Sequence, residues 1–184
     1  MSDATAPEPE PESSQPGSHQ GDLPAPVRGQ RLSRAFRALV VAAIDEARGR
    51  NASLVEAEHL LLALTADPGS PVGPVLRHAG LDRERVEAAL RAERAAGLRA
   101  AGVEPVPEER LAASPRVGRP RWGTSAREVL VRAHRISLLR GRAAATTPSD
   151  VLAALAGLEL GTVPRALELA GIDRSALAEA ARAA

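Results

Sequence analysis

Few side chains in this chain could act as nucleophiles, general bases or metal ligands, and their spacing is wrong for each. The four histidines are His19, His59, His78 and His134. None stands four residues from another on a helical stretch, the spacing that turns two imidazoles toward one zinc ion, so no metal site is expected. There is no cysteine, which excludes disulfides, thiolate metal sites and cysteine nucleophiles together, and fits a reducing cytoplasm. There is no lysine either. That removes the phosphate-loop lysine of the common nucleotide hydrolases, a Schiff-base amine and a lysine base. Serine, histidine and aspartate all occur, but no Gly-x-Ser-x-Gly turn mounts a nucleophile. The expectation is a protein without catalytic residues and without a cofactor.

Charged surface remains as a means of binding. Residues 97 to 121 carry Arg110, Arg116, Arg119 and Arg121, which could contact phosphate backbones and so support an alternative reading as a helical nucleic-acid-binding regulator. Pro105, Pro107, Pro115 and Pro120 interrupt that stretch, and no aromatic residues interleave with it as base-stacking platforms. The helices that might enter a groove begin with Glu56-Ala57-Glu58 and Pro148-Ser149-Asp150, whose acids would repel phosphate. Net charge is +1 but uneven: Asp3, Glu8, Glu10, Glu12 and Asp22 face only Arg28 in residues 1 to 30. A modest positive excess is left on the remainder, well short of a concentrated basic face.

Alanine and aliphatic residues dominate and aromatics are 1% of the chain, which favours helix over strand and predicts an all-α fold. Residues 1 to 30 are acidic and proline-rich with almost no large apolar side chains, and read as a disordered tail. No apolar stretch approaches the roughly 20 residues of a membrane span, and the start lacks a leader's pattern, so a cytoplasmic protein is expected. Leu32, Ala35, Phe36, Leu39, Val40, Ala43, Ile44 and Ala47 follow the spacing of one helix face, with Ser33 as its cap. A second helix over about Glu56 to Thr65 carries Leu60, Leu61, Leu62 and Leu64 on several sides and must be buried; Asp67-Pro68-Gly69-Ser70-Pro71 ends it. A short third helix closes at Gly80, and Asp82 caps a fourth containing Val86 and Leu90.

The same order returns about 90 residues later. A long helix from about Thr124 to Arg140 carries Val129, Leu130, Ala133 and Ile136, and Thr147-Pro148-Ser149-Asp150 opens a buried helix with Val151, Leu152 and Leu155. Ala79-Gly80-Leu81-Asp82-Arg83 matches Ala170-Gly171-Ile172-Asp173-Arg174, each preceded by a leucine at the same distance, Leu76 and Leu167. The offset shifts from 90 to 91, placing a one-residue insertion near Gly141 to Thr146. The organisation expected is a tail over 1–30, a first repeat over 31–96, a linker over 97–121 and a second repeat over 122–184. Four-helix units of this size have small cores, so the repeats should pack together as one pseudo-two-fold domain.

Residues 32 to 64 resemble the opening repeat of the Clp N-terminal domain, the double helical repeat of ClpA- and ClpC-type unfoldases. Glu58-His59-Leu60-Leu61-Leu62-Ala63-Leu64 is the most specific part, after Asp45-Glu46-Ala47-Arg48 and Asn51; the likeness continues through Leu76, Gly80 and Leu81 and, in the second copy, through Ser125 to Leu130, Leu152, Leu155, Leu167, Gly171 and Ile172. The resemblance implies a domain that receives substrates or adaptor proteins, here without ATPase modules: an adaptor, regulator or client-binding competitor of the Clp machinery. Some members of the family bind phosphorylated arginine through the acid preceding the histidine, which points to Glu58. The matching pair in the second copy is Ser149 and Asp150, where Asp150 could instead complete a capping box with Thr147. Glu58 has two open readings: it receives a guanidinium through paired charged hydrogen bonds, or it complements the helix dipole. His59 is similarly a partner contact or a packing and capping residue. Ser33 and Trp122, which opens the second copy where the first has Leu32, complete the candidate partner contacts; Trp122 has the second open reading of a core packing residue.

Overall fold

The computed structural model describes residues 31–105 and 118–184. The tail over 1–30 and the linker arginines Arg110 and Arg116 lie outside the described residues. Eight helices are present among those described: α1 (Arg34–Gly49), α2 (Ala57–Thr65), α3 (Gly73–His78) and α4 (Arg83–Ala100) in the first repeat, and α5 (Thr124–Leu139), α6 (Pro148–Ala156), α7 (Thr162–Leu169) and α8 (Arg174–Ala183) in the second. The expected starts are where the caps put them. The Ser33 side chain accepts from the Phe36 N–H at 3.0 Å, the Asp82 carboxylate from the Arg85 N–H at 2.8 Å, and the Asp173 carboxylate from Ser175 and Ala176 at 2.9 and 3.0 Å. One boundary differs: α4 runs on to Ala100, so the segment read as linker from residue 97 begins inside a helix.

The five-residue signature shared by the repeats has a mechanical reason. Gly80 (φ 66°) and Gly171 (φ 70°) take the left-handed conformation just past α3 and α7. Gly80 N–H then donates to the Arg77 carbonyl and Leu81 N–H to Leu76, at 3.0 and 2.8 Å; Gly171 to Glu168 and Ile172 to Leu167 repeat this, both at 2.9 Å. Those paired bonds satisfy the last carbonyls of one helix, and the aspartate two residues on starts the next. A Cβ at position 171 would meet nothing within 4 Å, so Gly171→Ala tests backbone conformation alone. It is expected to lower stability by about 1 kcal/mol, read as a shift in the urea unfolding midpoint with an unchanged slope.

α2 and α6 form the centre. α1 packs on α2 and α5 on α6, the two central helices touch each other, and one continuous apolar core runs through both repeats. Phe36, Leu60, Leu130, Val151, Leu152 and Leu155 are wholly inaccessible to water, as the multi-sided leucine pattern of the second helices requires.

An all-α reading expects no strands, yet two short parallel pairings tie the repeats. β1 (Leu54–Val55), just before α2, pairs with β2 (Arg121–Trp122), just before α5; Leu32, just before α1, bridges to Thr146, just before α6. The two are equivalent by the pseudo-two-fold relation: Gly123 N–H donates to the Val55 carbonyl at 2.9 Å, and Ser33 N–H to Thr146 at 3.0 Å. Each repeat thus lends its opening residues to the other. The one-residue insertion falls between Arg140 and Thr147, the segment that matches Arg50 to Glu56.

Candidate functional site

The helices are not arranged identically in the two halves. α8 lies along α6, whereas the longer α4 touches α2 less and leans instead on α7 of the other repeat. A groove of about 920 Å³ opens beside α2 as a result, walled by the end of α1, by α4 and by Thr162 at the start of α7.

The head of α2 is fixed by polar contacts. Glu56 N–H donates to Nδ1 of His59 at 2.9 Å, so the imidazole acts as acceptor and bears its proton on Nε2. His59 is buried, and desolvation above all, with Arg50 adding, lowers its pKa to about 4 against the opposing pull of Glu56 and Glu46. The ring is therefore neutral at pH 7. The Glu56 carboxylate crosses to the second repeat, accepting from the Ser125 N–H at 3.1 Å and from its hydroxyl at 2.5 Å, while Ser125 Oγ accepts from the Ala57 N–H at 2.8 Å. A Cβ at position 123 would sit 2.0 Å from this carboxylate, which accounts for glycine where Ser33 caps the equivalent helix.

Glu58 follows at the second position of α2 and faces the groove, half-buried. No arginine pairs with it among the described residues. Burial raises its pKa above the usual carboxylate range, with Glu56 and Glu93 adding, against its own backbone N–H and Arg94. Other acids around the groove are already neutralised. Arg83 grips Glu46 with two hydrogen bonds, at 2.7 and 3.0 Å, holding that carboxylate below its usual range. Arg50 pairs with Glu46 and, at 2.9 Å, with Glu87. Arg91 and Arg94 line the groove, exposed and without an ionic partner among the described residues. An unpaired carboxylate and two unpaired guanidinium groups thus border one space. That arrangement can receive a guanidinium on one side and an anion on the other.

The second repeat closes the equivalent place. Asp150, where the first has His59, is 1% exposed and completes the capping box: its Oδ2 accepts from the Thr147 N–H at 2.8 Å and hydroxyl at 2.9 Å. Arg140 binds both carboxylate oxygens, one at 2.8 Å. Ser149 is buried. Ile136 and Ala178 stand where Glu46 and Glu87 stand in the first repeat.

Of the residues singled out from sequence, Glu58 and His59 come together at the groove. Trp122 lies in β2 opposite Val55, half-buried against the core. Ser33 lies at the other seam, beside Thr146, with its side chain occupied as a cap. Sequence reasoning passed over Glu93, Arg91 and Arg94. The spacing of the two arginines on one helix face was a usable signal; nothing local marked the buried Glu93. Among the described residues no group of histidines and acids is placed to hold a metal, and no helix is long and apolar enough to cross a membrane.

The family model described as the Clp repeat (R) N-terminal domain matches residues 31–119. No curated protein sequence matches the chain. Among solved structures, the N-terminal domain of the caseinolytic protease associated chaperone ClpD from Arabidopsis thaliana aligns with a TM-score of 0.59 at 18% identity, over 82% of this chain and 92% of that one. The Hsp104 N-terminal domain from Candida albicans aligns with a TM-score of 0.58 at 15% identity, over 83% and 89%. These likenesses show the shared double-repeat fold across both halves, and the first repeat, within residues 31–119, is similar in sequence to the Clp N-terminal domain family.

Proposed function

We propose that this chain is a non-catalytic receiver of protein segments in a Clp-type proteolytic system in the cytoplasm, acting as adaptor, regulator or client-binding competitor. The observation that carries this reading is the open groove in the first repeat, where the unpaired Glu58 faces the unpaired Arg91 and Arg94. Arginine bearing a phosphate offers the matching charges, a guanidinium for the acid and an anion for the arginines. Closure of the second repeat by Arg140 and Asp150 leaves one such site.

The full chain should be passed over an immobilised Clp-type ATPase, its client proteins and an arginine-phosphorylated protein, beside Glu58→Gln and with duplex DNA as a control. Binding of the phosphorylated protein is expected to weaken about tenfold or more in the variant, the loss of one hydrogen bond to a charged group. Binding to the ATPase alone, unchanged in the variant, would replace the receiver by a docking regulator. Salt-sensitive binding to DNA alone would overturn the reading and favour the nucleic-acid alternative.

A further inference from the structure

The groove has a second carboxylate that the receiver reading does not use. Glu93, on α4, is 6% exposed, borders the same space as Glu58 and adds a little to the rise in the Glu58 pKa that burial causes. A buried acid needs a cation, and this one receives it from the other repeat: Arg165 Nη2, on α7, lies 2.5 Å from Glu93 Oε1. The two ends of the pair differ in exposure. Glu93 is enclosed, whereas 64% of the Arg165 side chain is open to water. Arg165 therefore covers the acid from the solvent side and can swing away without unpacking apolar contacts. The pseudo-two-fold equivalents of this pair are Ala184 and Pro74, so the contact belongs to the half that holds the groove. No other cation is paired with Glu93 among the described residues.

We infer that Arg165 is an internal competitor for the groove: its guanidinium occupies Glu93 as a client's arginine would, and an incoming guanidinium displaces it to lie between Glu58 and Glu93. This rests on the receiver reading above and adds its regulation. With a competitor tethered at the site, apparent affinity falls by the fraction of time the acid is covered. The pair also bridges α4 and α7, so displacement reports occupancy of the first repeat to the second.

The test is a calorimetric titration of the full chain with acetyl-Gly-Arg-Gly-amide and with its arginine-phosphorylated form. Arg165→Gln is expected to bind either peptide roughly two- to fivefold more tightly, the upper part of the range for releasing one partly exposed ion pair. The gain should vanish when Glu93→Gln is also present. Arg165→Lys keeps a cation over Glu93 and guards against a misfolded glutamine variant; its weaker, single-point contact should give a smaller tightening. Binding that is lost in Glu58→Gln but unchanged or weakened in both Arg165 variants overturns the competitor and leaves the receiver standing. The same tightening with Glu93→Gln present also overturns it. No binding of either peptide by any form, Arg165 variants included, overturns the receiver reading and the competitor with it.

Discussion

Replacing Arg140 by methionine is expected to lower the unfolding free energy by about 2 to 4 kcal/mol at neutral pH. Asp150 is 1% exposed, and Arg140 is its only ionic partner among the described residues. Removing one member of a buried pair strands the other's charge, at a cost near 3 to 5 kcal/mol. Two features moderate this. Asp150 keeps the Thr147 N–H and hydroxyl, and Arg140 is 43% exposed, so water reaches the site once the guanidinium is gone. The double variant Arg140→Met, Asp150→Asn should recover most of the loss, because an amide oxygen still accepts from Thr147 and no charge is buried. Urea unfolding of the four forms gives the coupling free energy. A loss under about 0.5 kcal/mol in the single variant would mean that the buried carboxylate is stabilised without its arginine.

The second large effect is acid sensitivity from His59. Its folded pKa, about 4, lies below its ordinary 6.5. Between those values the unfolded chain binds the proton and the folded one does not. Stability therefore rises with pH across this window, and acidification from pH 6.5 to 4 should cost about 3 kcal/mol through this residue. Glu46, lowered by Arg83, also loses stability as pH falls, but below its ordinary 4.5. Glu58, raised by burial, acts the other way, favouring the folded state as it gains its proton. His59→Gln separates these contributions: glutamine at the third helical position can still accept from the Glu56 N–H, and it does not titrate. The stability difference between wild type and variant should move by about 3 kcal/mol in favour of the variant from pH 7 to 4. A difference independent of pH would show that the fold does not hold the ring neutral.

The repeat architecture was legible because each recurring residue has a local job. Gly80 and Gly171 supply a backbone conformation, Asp82, Asp173, Ser33 and Thr147 supply caps, and the leucines of α2 and α6 are apolar on every side because every side is covered. The reciprocal strand pairings were not legible. Two-residue strands are too short to show an alternating pattern, and their partners lie 67 and 114 residues apart in the chain. The candidate site was legible only in part. Glu58 and His59 stand in a recognisable run, but the groove that exposes Glu58 exists because α4 leans on α7, a packing decision no local pattern states. The pairing of Glu93 with Arg165 follows from that lean. Conversely, a difference at the equivalent place in the second repeat could be anticipated from Ser149 and Asp150, while the pairing of Arg140 with Asp150 could not.

The mutual loan of opening strands gives the boundary between the repeats the character of an isologous contact, in which each side gives and receives the same element. Such a contact is self-consistent as a twofold dimer and needs no covalent link to define its geometry. The chain between the halves then governs only how concentrated one half is around the other. In a family of this design, changes in the length of that connection cost little in closure entropy, and a change in either half's opening strand is felt in the half that borrows it.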